Sequence, residues 1–133
     1  MKIGIISDTH RNIKSIDKAI PYLKECDLII HAGDNIDDAE YIYYATDVLV
    51  KCVKGNCDFY SDPGKDEETF MAEDKRVFVC HGHNYGIKYS MSDLLNKALN
   101  SNIDIVIFGH SHIPFYQEIR GVIFINPGSV SLP

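Results

Sequence analysis

The chain has 133 residues, of which 45% are hydrophobic, and it carries a formal net charge of -6. This length supports one hydrophobic core, so we expect a single domain over residues 1–133. No apolar run is long enough to cross a bilayer, and the N-terminus lacks the pattern of a signal peptide, which together predict a cytoplasmic location. The acidic balance argues against a general nucleic-acid binder, because affinity for the phosphate backbone rises with basic surface.

Apolar, β-branched runs recur along the chain and predict six buried strands. They cover residues 3–6, 28–30, 48–53, 77–79, 103–108 and 122–125. Apolar residues at helical spacing predict three helices between them, at 13–23, 37–46 and 91–100. Asn12 is a suitable N-terminal cap for the first helix. In the second helix, Asp37, Asp38 and Glu40 are typical of a solvated N-terminal face, which the helix dipole favours.

The alternation of strands and helices predicts a layered α/β fold with a largely parallel central sheet. Ligands of such folds bind beyond the carboxyl ends of the strands. The last part of the chain differs, because residues 115–119 and 122–126 flank the pair Arg120-Gly121 and predict an antiparallel hairpin. The polar segment 62–66 is too short to divide the chain into domains.

Polar clusters follow five of the predicted strands. They are Asp8-Thr9-His10, Gly33-Asp34, Gly55-Asn56-Cys57-Asp58, His81-Gly82-His83 and Gly109-His110-Ser111-His112. Oxygen and imidazole ligands without a run of thiolates suit divalent Mn, Fe, Ni or Zn. The glycines allow sharp turns and leave room for an ion and a phosphate beside the backbone. The sequence therefore predicts a metal site at the strand ends.

The order of these clusters resembles the calcineurin-like metallophosphoesterases, whose motifs are D-x-H, GD, GN-(H/C)-D, H and GHxH. The likeness runs from Lys2 to Ser131. The GNCD variant, the HGH triplet, the closing Asn-Pro-Gly-Ser turn and the short chain without a cap are most similar to the small YfcE/MJ0936-type phosphodiesterases of bacteria and archaea. This resemblance implies an α/β/β/α sandwich, with mixed central sheets flanked by helices and no cap domain.

The resemblance also implies a set of ligands for two divalent metal ions, with Mn favoured over Ni, Fe and Zn. Asp8, His10 and His112 would bind one ion, Asn56, His81 and His110 would bind the other, and Asp34 would bridge them. The implied reaction is hydrolysis of small phosphodiesters by a hydroxide that bridges the ions and attacks phosphorus in line. Asp34, Asn56, Cys57 and Asp58 are the implied catalytic residues.

Cys57 departs from the many members of the family that have a histidine at this position, near the scissile phosphate. A thiol, with a reference pKa of about 8.5, is a poorer phosphate partner than an imidazolium, which favours substrates with good leaving groups. Asp58 would orient the same loop. Chains of this type usually continue past Asn126-Pro127-Gly128-Ser129, so either this chain is shortened or its sheet lacks C-terminal edge strands. We interpret that turn as support for the floor of the metal site.

Other functions stay open beside the phosphodiesterase. The nearest are a phosphomonoesterase or pyrophosphatase, and a non-catalytic binding scaffold similar to the retromer subunit Vps29. Retention of His10, His110 and His112 argues against the scaffold, which has no chemical need for them. The expected partner is a small phosphorylated substrate, with no nucleic acid or membrane, and specificity is either broad or supplied by a neighbouring subunit of a homo-oligomer. His31 and His83 are left open between a role beside the ligands and a structural one.

Overall fold

A computed structural model describes residues 1–33, 38–55, 66–88 and 90–129. Within these ranges the elements are β1 Ile3–Ile6, α1 Ile13–Leu23, β2 Leu28–His31, α2 Asp38–Thr46, β3 Val50–Cys52, β4 Glu67–Ala72, β5 Lys75–Cys80, α3 Ser92–Asn100, β6 Ile105–Ile107, β7 Phe115–Ile119 and β8 Val122–Asn126. A short 3-10 helix spans His83–Tyr85. Among these helices, none is long and apolar enough to cross a membrane.

The strands form two sheets, which corrects the prediction of one largely parallel sheet. One sheet is fully parallel with strand order β1-β2-β3, and the other has the order β4-β5-β6-β8-β7. In the second sheet β6 lies parallel to β5 and β8, while β4 and β7 pair antiparallel with their neighbours. The mixed sheets that the family resemblance implies are therefore confirmed.

Side chains alternate between the two faces of each strand and so build separate layers. Ile29 of β2 packs with Ile16 of α1 and Ile42 of α2. Its neighbour Ile30 faces the other way and packs with Val79 of β5, in a core that lies between the two sheets. The first sheet is therefore covered by helices on one face and by the second sheet on the other.

The second sheet buries its outer face against α3. Phe78 of β5 packs there with Leu94 and Phe124, and all three side chains are almost fully buried. Cys80 lies in the same cluster, where burial and the nearby Glu67 carboxylate raise the pKa of its thiol, so this cysteine packs as an apolar side chain. The order of layers is α/β/β/α, as the resemblance implies.

Local sequence patterns predicted the positions of most helices and strands correctly. The Asn12 side chain accepts a hydrogen bond from Ser15 N at 3.1 Å and caps α1 as predicted. The hairpin between β7 and β8 is confirmed, and its turn residues Arg120 and Gly121 both have positive φ, at 53° and 82°. Strand β4 was missed, because only part of one face is apolar, where Phe70 and Ala72 pack against the core between the sheets.

Candidate metal centre

The loops that follow β1, β2, β5 and β6 meet at one edge of the two sheets. Asp8 N donates a hydrogen bond to Gly33 O at 2.9 Å, which joins the loops after β1 and β2. Gly109 N donates to His81 O at 3.0 Å, which joins the loops after β5 and β6. Backbone hydrogen bonds thus join these four loops in two pairs, one at the end of each sheet.

The carboxylate of Asp8 lies at the centre of this edge and is fully buried. Its Oδ1 atom is 3.2 Å from Nε2 of His112, 3.6 Å from Nε2 of His81 and 4.0 Å from Nε2 of His10. Three imidazole nitrogens from three different loops therefore converge on one carboxylate oxygen.

The other side of Asp8 is held by hydrogen bonds. Its Oδ2 atom accepts from Ser7 Oγ at 2.7 Å and from His110 N at 3.1 Å. Its main-chain oxygen accepts from Ser129 Oγ at 2.8 Å. These contacts fix the orientation of the carboxylate and direct Oδ1 toward the imidazoles.

Asp8, His10 and His112 have the donor chemistry and the spacing for one divalent ion. Their ligand atoms all lie within 4.8 Å of one another, and the Nε2 atoms of His10 and His112 are 3.3 Å apart. Donors held about 2.1 Å from one ion lie roughly 3.0 to 3.4 Å apart in neighbouring octahedral or tetrahedral positions. The separations of His112 from the other two side chains match this range, so these residues fit a metal ion.

His81 has the tautomer that metal binding requires. Its Nδ1 atom is 2.8 Å from Ala32 O, and because a carbonyl only accepts, the ring proton is on Nδ1. Nε2 is therefore the ring nitrogen that would bind a metal ion; it lies 3.6 Å from Asp8 Oδ1, and both side chains are buried. A histidine that binds a metal usually donates its other N–H to a carbonyl or carboxylate in this way. Two electron-pair donors that face each other suit a cation between or beside them.

The imidazoles form two groups. The ring centroids of His10 and His112 are 5.2 Å apart, and those of His81 and His110 are 5.1 Å apart. The ring of His83 lies 5.5 Å from that of His81 and 6.2 Å from that of His110, which places it beside the second group. The resemblance assigns His10 and His112 to one ion and His81 and His110 to the other, and this assignment stays a prediction.

Five of the seven predicted metal ligands are therefore brought together. The other two, Asp34 and Asn56, lie outside the residues that the structure describes, and so do the predicted catalytic residues Cys57 and Asp58. Their roles stay predictions from the sequence.

Four of the candidate ligands have an unusual backbone. Asp8, His10, His110 and His112 have φ values of 54°, 48°, 68° and 61°, in the left-handed region that is unfavourable for residues other than glycine. Each such residue costs on the order of 1 kcal/mol, and such residues cluster at functional sites where the surroundings hold them. The loops that carry the imidazoles must therefore be stabilised by their neighbours.

The turn at Asn126-Pro127-Gly128-Ser129 provides part of that stabilisation, as the sequence interpretation proposed. Asn126 Nδ2 donates to Gly109 O and to Ser111 Oγ, both at 3.0 Å. Its Oδ1 atom accepts from Gly128 N at 2.8 Å. One buried amide thus joins this turn to the loop that carries His110 and His112.

Asp38 corrects a prediction. The sequence favoured a solvated acidic residue at the start of α2, whereas the side chain is only 4% exposed and contacts the loop after β1. Its Oδ2 atom accepts from Thr9 Oγ1 at 2.5 Å and from Arg11 N at 2.8 Å. Acidic residues are common in the first turn of a helix whether they are exposed to solvent or buried against a loop. The local sequence therefore did not show that Asp38 contacts the loop after β1.

The structure also shows what His31 contacts, which the sequence left open. It is fully buried, accepts a hydrogen bond from Gly33 N at 3.2 Å through Nδ1, and lies 3.0 Å from Thr9 Oγ1 through Nε2. Both ring nitrogens therefore contact the loops that carry the candidate ligands. His31 supports these loops and is not placed among the ligands.

A layered α/β/β/α fold with a carboxylate and imidazole centre at the ends of its strands is typical of the metallophosphoesterase fold. The family model described as the calcineurin-like phosphoesterase superfamily domain matches residues 1–133, and the chain belongs to that superfamily.

Relatives and solved structures agree with this assignment. The chain is 39% identical over 136 residues to the probable metallophosphoesterase YsnB of Bacillus subtilis, covering 100% of this chain and 77% of YsnB. It is 29% identical over 147 residues to the phosphodiesterase MJ0936 of Methanocaldococcus jannaschii, covering 96% and 83%. The zinc complex of Vps29 from Entamoeba histolytica shares the fold, with a TM-score of 0.80 at 22% identity over 97% of this chain and 74% of Vps29. The family and these relatives support a phosphoesterase function and imply divalent metal ions.

Proposed function

We propose that the protein is a phosphodiesterase that uses two divalent metal ions to hydrolyse small phosphodiesters. The observation that carries this proposal is the convergence of three imidazole Nε2 atoms on Asp8 Oδ1, all within 4.0 Å. Asp8, His10 and His112 would hold one ion. His81 and His110 would hold the second together with Asn56, and Asp34 would bridge the pair.

Two bound ions supply positive charge for the phosphoryl oxygens and make a water nucleophilic near neutral pH. The buried Asp8 carboxylate and the His81 imidazole would hold these ions at a fixed position at the strand ends. The positive charge of two dications exceeds the negative charge of Asp8 and Asp34, so the centre attracts a phosphate although the whole chain is acidic. The mixed oxygen and imidazole donor set suits Mn²⁺, Ni²⁺, Fe²⁺ or Zn²⁺, and the family resemblance favours Mn²⁺ among them.

A groove beside the centre supports a diester as substrate. It has a volume of about 500 Å³ and is lined by Ile87, Met91, Phe115 and Ser111, among others. Ser111 lies between His110 and His112, so the groove reaches the loop that carries both imidazoles. A phosphodiester has a second organic group, and these apolar walls provide a surface for it.

Metal-dependent cleavage of bis(p-nitrophenyl) phosphate tests this proposal. We expect metal-stripped protein to regain activity with Mn²⁺, and to a smaller extent with Ni²⁺ or Zn²⁺. His112→Ala removes the imidazole that lies 3.2 Å from Asp8 Oδ1, so its activity should fall further than the roughly 10- to 100-fold typical of residues that only support a ligand. Tyr116→Ala is the matched control, because it removes an exposed aromatic ring four residues along the chain that does not line the groove.

The same assay separates the alternatives. Faster cleavage of p-nitrophenyl phosphate than of the diester would indicate a phosphomonoesterase. Inactivity with every ion would contradict catalysis and favour a binding scaffold similar to Vps29.

The second prediction concerns Cys57, which lies outside the described residues. We expect Cys57→His to preserve or raise the turnover of diesters with poor leaving groups, because an imidazolium can donate a proton to the departing oxygen. The measurement is the ratio of turnover on an alkyl diester to turnover on bis(p-nitrophenyl) phosphate. Cys57→Ser is the control, since it removes the thiol without adding an imidazole. A marked loss of turnover on every substrate in the histidine variant would contradict the prediction.

A further inference from the structure

We propose that Asp38 is a positioning residue that holds His10 in its orientation at the metal centre. The inference rests on the proposed function, because it assumes that His10 binds an ion. Asp38 contacts neither His10 nor a candidate ion, and it acts through the backbone and side chain on the two sides of His10.

The carboxylate of Asp38 accepts hydrogen bonds from the loop on both sides of His10. Its Oδ2 atom accepts a hydrogen bond from the hydroxyl of Thr9 at 2.5 Å and from the main-chain N–H of Arg11 at 2.8 Å. Thr9 is the residue before His10 and Arg11 is the residue after it. Asp38 is 4% exposed and Thr9 is fully buried, so water does not replace these bonds easily.

The loop that carries His10 has a backbone conformation that needs stabilisation by these hydrogen bonds. His10 and Arg11 have φ values of 48° and 58°, in a region that residues other than glycine rarely adopt. The direction of the His10 side chain depends on this backbone. If the loop relaxed to negative φ, Nε2 of His10 would leave its position 3.3 Å from Nε2 of His112.

His31 fixes the direction of the hydrogen bonds that end at Asp38. Because Gly33 N donates to Nδ1 of His31, the ring proton is on Nε2 and is donated to Thr9 Oγ1. The hydroxyl group of Thr9 then donates its own proton to Asp38, which is the last acceptor in this series of hydrogen bonds from Gly33 through His31 and Thr9. The series joins the loop after β1 to the end of β2, directly before Asp34.

The test is Mn²⁺ titration of the metal-stripped 133-residue chain by calorimetry. Residues that orient a metal ligand typically contribute 10- to 100-fold to affinity, so we expect Asp38→Ala to weaken Mn²⁺ binding by roughly that factor. Asp38→Asn keeps an acceptor oxygen without the charge and should have a smaller effect. Glu40→Ala is the matched control, because it removes the same charge from the same helical turn at an exposed position. It should leave the affinity unchanged.

A second pair of variants keeps the test independent of folding. Thr9→Val removes the hydroxyl at nearly constant volume and should weaken Mn²⁺ binding, whereas Thr9→Ser keeps the hydroxyl and should retain the affinity. Circular dichroism and Tm show whether each variant is folded at the titration temperature. A merely structural role would lower Tm and leave the affinity of the folded protein unchanged.

The outcomes separate this inference from the proposed function. Unchanged Mn²⁺ affinity in folded Asp38→Ala, an equal loss in Glu40→Ala, or equal affinities of the two Thr9 variants would overturn the inference alone. Absence of Mn²⁺ binding by the wild-type chain would overturn the proposed function and this inference with it.

Discussion

Replacing Asp8 with asparagine is expected to abolish binding of one of the two Mn²⁺ ions and, with it, phosphodiester hydrolysis. The carboxylate is fully buried, and its Oδ1 atom faces the Nε2 atoms of His112, His81 and His10. Asparagine has nearly the same size but carries no charge, so it cannot offset the charge of an ion in this buried position. The loss should exceed the roughly 10- to 100-fold effect of residues that only support a ligand. Calorimetric titration and hydrolysis of bis(p-nitrophenyl) phosphate measure the two effects.

Asp47→Asn is the matched control for this substitution. Asp47 has a φ of 58°, close to the 54° of Asp8, but its side chain is exposed. The chemical change and the backbone conformation are therefore the same, while the surroundings differ. We expect the control to keep full activity. An active Asp8→Asn variant with bound metal would remove the central carboxylate from the proposed mechanism.

Local sequence patterns predicted most elements of the fold because strands such as β5 and β6 have apolar residues on both faces. The first three residues of β2 are also apolar, and they alternate between the helix-facing core and the core between the sheets. Strand β4 has polar residues on much of its length and left no such run. The division into two sheets depends on which strands pair, and pairing is a long-range property that apolar runs do not contain.

The candidate ligands could be predicted because each cluster directly follows a strand, and strand ends are brought to a common edge by the fold. Asp8, His81, His110 and His112 are examples. The number of residues that separates each of them from the preceding strand can be read directly from the sequence. The residues that support the ligands carry no comparable signal. Asp38 reaches the loop after β1 only through tertiary packing, and its sequence context is that of any helical first turn.

Replacing Gly109 with alanine is expected to disrupt the metal centre by steric overlap. A Cβ atom at this position would lie 2.1 Å from Ser7 Oγ and 2.7 Å from Asp8 Oδ2. Ser7 and Asp8 are both fully buried and are joined by a hydrogen bond, so a methyl group must displace the carboxylate or break that bond. Overpacking of this kind costs about 1 to 3 kcal/mol of stability. We expect Mn²⁺ affinity to fall in the same variant, as measured by calorimetry, with stability measured by urea unfolding.

Gly86→Ala separates this steric effect from backbone strain. Gly86 has a φ of 58°, and among the described residues no atom beyond its chain neighbours lies within 4 Å of the position of an added Cβ atom. The strain should lower stability by about 1 kcal/mol, while Mn²⁺ affinity stays at the wild-type value. The double variant Ser7→Ala with Gly109→Ala removes the closest overlapping atom, so it should recover part of the affinity that Gly109→Ala loses. If Gly109→Ala bound Mn²⁺ as tightly as Gly86→Ala, the Asp8 carboxylate could move without loss of the ion, and its fixed orientation would not be required for binding.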